Sequence, residues 1–443
     1  MRTKSMPALL AVVIGVTSCG HNAKLPVARG MGPNPELPEP SYSAIPTIKV
    51  ATAKGWTNGG TPKAAEGLDV VAYATGLQHP RWLLVLPNGD VLVAETNAPK
   101  RPLDGGGIRG WFFKRFQKKA GGGVPSANRI TLLRDADGDG IAEVRVPFIE
   151  GLNSPFGMAL VDNTLYVANT DAVVRFPYHV GDTKITAQPV KVADLPGGLI
   201  NHHWTKSLIA SQDGSRLYVG VGSNSNAAEN GIEAEDERAA ILEVDPATGM
   251  HRVYASGLRN PVGMTWVPET GTLWVAVNER DELGSDLVPD YMTSVRDGGF
   301  YGWPYSYYGR HIDTRIERQR PDLVEKAIVP DYALGPHTAS LGLAYAKGTT
   351  LPSRYDGGMF VGQHGSWNRK PPSGYRVIFV PFTAGKPSGE AIDVLTGFLD
   401  DAGDSHGRPV GVAIDRKGAL LVADDVGNVV WRVSAAQPVV RRN

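Results

Sequence analysis

The fold is decided by the stretch Gly257-Leu-Arg-Asn-Pro-Val-Gly263 and the residues that follow it. An apolar run, Met264–Val267, comes next, then the turn Pro268-Glu-Thr-Gly271 and a second apolar run, Leu273–Val277. Two short apolar segments joined by a turn of this composition are typical of a β-hairpin. One hairpin cannot cover its own faces, so the next question is whether the unit recurs.

The unit recurs six times, and each copy combines a loop, an apolar run, a turn and a second apolar run. The copies begin at Gly76, Gly151, Gly198, Gly257, Thr338 and Gly407, and the fifth is degenerate. Repeated hairpins of this kind indicate a radial array in which neighbouring sheets cover one another. We therefore predict an all-β fold, a six-bladed β-propeller with loop insertions, over residues 67–437. A pair of β-sandwiches with coincidental turns is the alternative.

Composition agrees with many short strands, because the 443 residues include 53 glycines and 33 prolines. Lysine plus arginine and aspartate plus glutamate both number 45. The chain as a whole therefore has no field that would attract a polyanion, and we expect no nucleic-acid partner.

The first residues indicate export. Arg2 and Lys4 precede a short apolar run that ends near Val16, and Cys19, the only cysteine, follows. This pattern is typical of a signal peptide. Its end resembles a bacterial lipobox, although Val16 stands where leucine is usual. We expect residues 1–19 to be a signal peptide whose lipidated Cys19 anchors a periplasmic lipoprotein in the membrane, with an ordinary secreted protein as the alternative.

The segment 20–66 is rich in proline, glycine, alanine and lysine, so we expect a tether followed by a lead-in that wraps the propeller surface. Two insertions lengthen the repeat. Lys100–Gly123 is aromatic and basic, which favours a short helix packed on the propeller or resting on an anionic membrane. Asp286–Gln319 is rich in aromatic residues, which could be core or could wall a planar ligand.

Several loops carry chemistry that the repeat does not require. Arg259, Arg369 and Arg408 fall at equivalent ends of separate units. Because a guanidinium matches a carboxylate, arginines that converge on one mouth predict an anionic or electron-rich planar ligand. His202 and His203 are adjacent on an extended segment and point to opposite sides. One of them could serve as a general base near neutral pH, or could be structural.

Acidic loops offer candidate cation sites. Asp135, Asp137 and Asp139 are spaced as in a calcium loop, but the usual distal glutamate is missing, which favours a polar hairpin turn with weak calcium binding at most. The loop Asn278–Asp286 carries four acidic residues and could bind calcium or simply favour solubility. Asp424-Asp425 is interpreted as a turn at a strand end.

Four motifs together resemble the soluble sugar dehydrogenases that depend on pyrroloquinoline quinone (PQQ), and most closely their sorbosone dehydrogenase-like branch. The motifs are Gly257-Leu-Arg-Asn-Pro-Val-Gly, Asn278-Glu-Arg-Asp, Gly298-Gly-Phe-Tyr-Gly-Trp-Pro and His364-Gly-Ser-Trp-Asn-Arg. The resemblance covers about residues 68–435. It implies a six-bladed propeller with PQQ in the central mouth, beside calcium.

The resemblance also implies roles for individual residues. His203 corresponds to the base that takes the proton from the sugar hydroxyl as hydride passes to the quinone. Arg259 and Asn260 correspond to the pair that contacts the quinone oxygens and the cofactor. Arg408, His364 and Trp367 are likewise expected to contact the cofactor, and Arg369 or Lys206 would replace a lysine that the family places near it. Calcium is expected to bind the segment Asn278, Glu279 and Arg280, partly through backbone carbonyls.

Two departures make glucose a doubtful substrate, since the glucose-oxidising branch has glutamine where Val262 stands and a second arginine where Val410 stands. We expect a quinoprotein oxidoreductase that oxidises a sugar or aldose-type hydroxyl or aldehyde and passes electrons to an external acceptor. The alternatives are a calcium-dependent propeller lactonase or related hydrolase, and a non-catalytic carbohydrate-binding propeller lipoprotein.

Overall fold

A computed structural model describes residues 22–42, 47–99 and 115–437. The predictions for residues 1–19, including the lipid anchor at Cys19, lie outside the described residues, as does most of the first insertion. The described chain is almost entirely β-strand and loop. Its short helices are the 3₁₀ turns Val27–Gly30, Ile232–Glu235 and Ser353–Tyr355, the α-helix Pro321–Val324 and a helical turn at 115–119.

Six sheets form six blades, and each predicted hairpin supplies the two inner strands of one blade. Blade 1 contains β5 (Pro80–Val85), β6 (Val91–Glu95), β7 (Arg129–Arg134) and β8 (Val144–Ile149). Blade 2 contains β9 (Met158–Val161), β10 (Thr164–Ala168), β11 (Ala172–Pro177) and β12 (Val190–Asp194). Blade 3 contains β13 (Lys206–Ala210), β14 (Leu217–Val221), β15 (Ala240–Val244), β16 (His251–Ser256) and the parallel β20 (Gly299–Phe300).

Blades 4 to 6 follow the same plan. Blade 4 contains β17 (Pro261–Val267), β18 (Thr272–Val277), β19 (Pro289–Ser294), β23 (Tyr332–Pro336) and β1 (Met31–Gly32). Blade 5 contains β24 (Ser340–Tyr345), β25 (Gly358–Gln363), β26 (Arg376–Thr383), β28 (Ile392–Thr396) and β3 (Lys63–Ala64). Blade 6 contains β30 (Pro409–Ile414), β31 (Leu420–Asp424), β32 (Val429–Ala435) and β4 (Leu68–Ala74). Minor strands are β2 (Thr52–Ala53) with β29 (Asp404–Ser405), β21 (Ser306–Tyr307) with β22 (His311–Ile312), and β27 (Lys386–Pro387) on β26.

The innermost strands form a closed ring, because β5, β9, β13, β17, β24 and β30 contact one another in that order and β30 contacts β5 again. Closure joins the first and last strands of the propeller, since β4 pairs antiparallel with β32 in blade 6. This arrangement confirms the predicted six-bladed β-propeller.

Each pair of adjacent blades buries an apolar cluster between its sheets. Phe360 of blade 5 packs with Trp431 of blade 6 in one cluster, and Trp274 of blade 4 packs with Ile378 of blade 5 in another. Fully buried side chains of this size each contribute about 1.5–3 kcal/mol from the hydrophobic effect. The blades are therefore held by their neighbours rather than by an independent core.

The glycine that ends the repeated loop has a packing cause. Gly263 lies on β17 where the next inner strand passes, and a Cβ at this position would lie 2.6 Å from the carbonyl oxygen of Leu341. At Gly157 and Gly342 a Cβ would likewise overlap the backbone of the next blade. The inner strands thus approach too closely for a side chain, which explains why the repeat keeps glycine there.

The described residues of the 20–66 segment lie against the propeller. β1 extends blade 4, β3 extends blade 5, and the Trp56 indole N–H donates to Asp424 Oδ2 at 2.7 Å. In the described ranges, no helix has the length and apolar character needed to cross a membrane.

Candidate active site

The loops that precede the inner strands open at one end of the ring, and we call this end the mouth. A cavity of about 280 Å³ lies there between blades 1, 3, 5 and 6. Its polar and aromatic walls include His79, Arg81, Asn97, His202, Trp204, His364, Trp367, Arg408 and Asp425, and the described end of the first insertion covers it with Phe116. The mouth therefore brings together residues that are far apart in sequence.

His203 precedes β13 and is half-buried, with its ring 4.8 Å from that of His202, which lines the cavity. Its Nδ1 lies 2.8 Å from the Ser223 carbonyl oxygen, which can only accept, so Nδ1 carries the proton and Nε2 is left as an acceptor. Burial, and then the charge of Arg259, lower the pKa of His203 well below its usual value. The ring is therefore neutral at physiological pH, the state that a base requires.

Arg259 and Asn260 lie beside His203 at the start of β17. The guanidinium of Arg259 is buried and donates to the Asn226 carbonyl and side-chain oxygens and to the carbonyls of Asn278 and Glu279. Asn260 is also buried, and its Oδ1 has no hydrogen-bond partner. An unsatisfied buried amide oxygen is costly, so this atom marks a place where a donor from a ligand would be stabilised.

The side chains of the predicted calcium segment, residues 278–280, bind other groups of the protein. Asn278 Nδ2 donates to Asp290, while the Glu279 carboxylate accepts from Arg280 at 3.0 Å. Arg280 is fully buried and also pairs with Asp313, so the only atom it can offer to a cation is its main-chain carbonyl oxygen. The main-chain carbonyls of Asn278 and Glu279 accept from Arg259 at 3.3 and 2.7 Å. A cation bound to these oxygens would therefore lie close to the fixed positive charge of Arg259, which disfavours it.

The acidic loop between β7 and β8 is a polar hairpin turn. Ligand atoms of Asp135, Asp137, Asp139 and Glu143 lie within 4.8 Å of one another. Lys417 of blade 6 inserts its ammonium among them, 2.8 Å from both Asp135 Oδ2 and the Gly138 carbonyl oxygen. The lysine compensates part of the negative charge and ties the turn to the neighbouring blade.

Asp425 is a site residue that the sequence analysis did not identify. It begins the turn at 425–428 that follows β31, as predicted for Asp424-Asp425, but its side chain is buried. Its carboxylate lies 2.7 Å from Arg81 Nη1 and 2.9 Å from His364 Nε2, and its carbonyl oxygen lies 3.1 Å from His79 Nδ1. Burial alone would raise the pKa of Asp425, but His364, His79 and Arg81 outweigh it and hold the pKa far below the usual range.

His364 shares this environment. Burial lowers its pKa to about 4, although the Asp425 carboxylate opposes the shift. Its Nε2 faces Asp425, and a carboxylate at this depressed pKa can only accept, so Nε2 carries the proton and Nδ1 is left as the acceptor. The mouth therefore holds two neutral histidines with defined tautomers, His203 and His364.

Arg408 and Trp367 lie on the cavity wall, in the position predicted for cofactor contacts. Arg408 donates from Nε to the His364 carbonyl and from Nη2 to the Gly365 carbonyl, and it stacks 5.1 Å from the centre of the Tyr375 ring. These contacts fix the guanidinium beside the cavity as a stationary positive charge.

Two predicted cofactor residues are directed elsewhere. Arg369 donates to the carbonyls of Pro371 and Leu25 and pairs with Asp286, so it holds the N-terminal segment and does not line this cavity. Lys206 is fully buried, and its Nζ lies 3.3 Å from the Trp204 carbonyl oxygen. Burial lowers the pKa of Lys206 well below its usual value, and it too is absent from the wall of this cavity.

Several aromatic residues of the second insertion belong to the core. Tyr301, Tyr307 and Tyr308 are buried in the cluster between blades 3 and 4, and Trp303 donates its indole N–H to the Asn226 carbonyl. The aromatic wall of the cavity comes instead from Trp204 and Trp367, which lie on different blades.

The fold and the mouth define a class, namely a six-bladed propeller with a buried site rich in arginine and histidine at its centre. The chain matches the TrAA12-like family over residues 62–293 and 317–436, and it belongs to this family. Membership confirms the resemblance to PQQ-dependent sugar dehydrogenases at the level of the family. The sorbosone dehydrogenase-like branch stays a prediction.

Three comparisons illustrate the relationship. The pyrroloquinoline quinone-dependent pyranose dehydrogenase of Coprinopsis cinerea is 44% identical over 41% of this chain, a match that spans only 30% of that protein. The holo form of its PQQ domain superposes with a TM-score of 0.66 at 20% identity, covering 87% of this chain and 100% of that domain. The calcium structure of the Trichoderma reesei carbohydrate-active enzyme of family AA12 gives 0.68 at 18% identity, covering 88% and 99%. At these identities the superpositions establish the fold alone.

Proposed function

We propose that the protein is an oxidoreductase that binds PQQ in the mouth and oxidises a sugar or aldose-type hydroxyl or aldehyde. The observation that carries the proposal is the neutral His203, with Nδ1 fixed by the Ser223 carbonyl, beside the buried Arg259 and Asn260. Membership of the TrAA12-like family and the PQQ-dependent relatives support it.

The residues present fit a planar tricarboxylate. Arg408 on the cavity wall and the buried Arg259, which is not part of that wall, supply fixed positive charge, and Trp204 and Trp367 supply flat apolar surface. PQQ, when bound, would supply the acceptor for the hydride of the substrate. His203 Nε2 would take the proton of the reacting hydroxyl, because it is the free acceptor of a neutral ring.

Calcium fits less well, and no step of the proposed reaction depends on it. A cation at the Asn278 and Glu279 carbonyls would share these oxygens with the Arg259 guanidinium and would be repelled by its charge. We therefore propose calcium only as a ligand that competes with Arg259. Titrating the PQQ-loaded protein with calcium and with a chelator tests this, because a competing ion would change both activity and the affinity for PQQ.

Screening sugars and their aldehydes with PQQ and a dye acceptor tests the function directly. Glucose is not the expected substrate, since Val262 and Val410 replace the polar residues of the glucose-oxidising branch. Turnover that requires both PQQ and a sugar supports the proposal. Absence of PQQ binding, or lactone hydrolysis without quinone, would contradict it.

We also propose that the protein is an exported lipoprotein anchored through Cys19 and that an external acceptor reoxidises the cofactor. The basic, apolar and lipobox-like run of residues 1–19 supports the first part. Palmitate labelling of the wild type and of Cys19→Ser tests the anchor. Membrane association that survives Cys19→Ser would rule it out.

A further inference from the structure

Arg81 is the second residue of β5, at the mouth end of blade 1. Its side chain is 13% exposed, and its Nη1 donates to Asp425 Oδ2 at 2.7 Å. The guanidinium lies 6.0 Å from the centre of the Phe156 ring. Within the part of the chain that the structure describes, Nε is buried without a partner and Nη2 donates to no group. One whole side of the guanidinium is therefore unused.

The other arginines of the mouth differ in this respect. Every side-chain nitrogen of Arg259 donates to an oxygen of the protein. Arg408 uses Nε and Nη2, which are the two nitrogens of the side that binds carboxylates bidentately, on carbonyls of the 364–365 turn. Because a bidentate carboxylate needs two neighbouring N–H groups, neither residue can bind one on its Nε–Nη2 side as these groups are arranged.

Arg81 is also held in place. The Asp425 carboxylate that binds its Nη1 is itself fixed by His364, and His79 contacts both the carbonyl and the carboxylate of Asp425. Ordering a long cationic side chain normally costs entropy on binding, and this network has already ordered it. Arg81 lines the same cavity as Trp204, Trp367 and Arg408.

We propose that the Nε–Nη2 side of Arg81 binds a carboxylate in the mouth cavity, and that this carboxylate belongs to the planar quinone cofactor. This inference rests on the proposed function. A carboxylate accepts both N–H groups at once, whereas a sugar hydroxyl offers a single oxygen. A substrate that carries a carboxylate would present the same chemistry, so the test has to separate the cofactor from the substrate.

Equilibrium titration of the metal-free protein with PQQ, followed by quenching of tryptophan fluorescence, measures cofactor affinity without turnover. We expect Arg81→Gln to weaken the Kd for PQQ about 10- to 100-fold, the range for loss of charge-assisted hydrogen bonds. Arg81→Lys keeps the charge but loses the fork, so its Kd should fall between those of the wild type and Arg81→Gln. The matched control is Arg252→Gln, an arginine paired with two carboxylates on the outer strand of blade 3, which should leave the Kd unchanged.

The outcomes separate the two claims. If the wild type does not bind PQQ, the proposed function fails. If the wild type binds PQQ and Arg81→Gln binds it equally well, the role of Arg81 is overturned while the function stands. A changed KM for the sugar at an unchanged Kd for PQQ would assign Arg81 to the substrate and also overturn the inference. Thermal unfolding of each variant checks folding, and Arg81→Lys carries the test if Arg81→Gln is unfolded.

Discussion

A buried histidine can act as a base only if it stays neutral and keeps one ring nitrogen free. His203 meets both conditions, because burial and Arg259 disfavour its charged form and the Ser223 carbonyl fixes the proton on Nδ1. The neighbouring His202 lies on the cavity wall, and the centres of the two rings are 4.8 Å apart.

For the base, we expect His203→Gln to lower kcat about 10²- to 10⁴-fold, the usual contribution of general base catalysis. The Kd for PQQ should change little, because the lost group acts on the substrate proton. Steady-state rates with a dye acceptor and a PQQ titration measure the two quantities. His179→Gln, which alters a histidine whose side chain is 76% exposed, is the control. Full activity of His203→Gln would remove the assignment.

The folded protein should lose stability as the pH is lowered, because the pKa values of its buried-site histidines lie below those of the unfolded chain. The pKa of His364 is about 4 in the folded protein, against 6.5 for an ordinary histidine, so the unfolded chain binds the proton first. Its contribution is complete above about pH 6.5 and is lost as the pH falls towards 4. His79 and His203 have pKa values shifted in the same direction.

Chemical unfolding of the cofactor-free protein between pH 7 and pH 4 checks this prediction. We expect the free energy of unfolding to decrease over this range, and His364→Asn to reduce the slope in part. Replacing the exposed His179 should leave the slope unchanged. A slope that is the same in wild type and His364→Asn would contradict the expectation.

The site was predictable from sequence where its residues belong to the repeat. Arg259, Asn260 and His203 stand in loops whose other copies show what is ordinary there. Arg81 and Asp425 were missed because they are 344 positions apart and meet only when the ring closes. The direction of Arg369 could not be predicted, because the side chain donates to the Leu25 carbonyl, on a segment with no repeat to place it.

At the scale of the strand, a glycine controls how the mouth is assembled. Gly222 follows β14, and a Cβ there would lie 2.5 Å from His203 Cβ and would overlap Asn260 Oδ1. The end of blade 3 is therefore packed directly against the proposed base and its neighbour. No other residue type fits without moving one of them.

We expect Gly222→Ala to destabilise the protein by about 1–3 kcal/mol, as overpacking does, and to lower activity by displacing His203. Gly198→Ala is the matched control, since a Cβ there meets nothing within 4 Å and the substitution precedes the same histidine. Thermal unfolding and dehydrogenase rates measure both effects. Equal behaviour of the two variants would show that the close approach is not needed.

Turn chemistry made the inner hairpins predictable, because Asn, Asp and Gly between short apolar runs favour tight reversals. The outer strands could not be predicted from turn residues in this way. β12 and β16 are largely exposed and carry polar residues, so their sequences resemble loops. The parallel addition of β20 to blade 3 depends on an insertion whose path no local pattern specifies.

At the scale of the whole molecule, closure of the ring determines the site. β4 completes blade 6, which also carries Arg408 and Asp425, and the mouth needs blades 1 and 6 side by side. The sequence predicted six units but not that the strand before the first unit would complete the last one.

A chain that begins at residue 67 keeps β4 and should fold with a lower melting temperature, since it loses β1, β3 and the bond from Trp56 to Asp424. A chain that begins at residue 76 loses β4 and should not form a stable monomer. Circular dichroism and size-exclusion chromatography distinguish these results. Similar melting temperatures for both truncations would contradict closure through β4.

We propose that the mouth is a PQQ site in which a sugar is oxidised. The most direct measurement is a titration of the cofactor-free wild-type protein with PQQ, followed by addition of sugars to the loaded protein and detection of cofactor reduction by absorbance. We predict saturable binding and reduction by at least one sugar, with reduction but not binding lost in His203→Gln. No saturable binding, or binding without reduction by any sugar or aldehyde tested, would contradict the account.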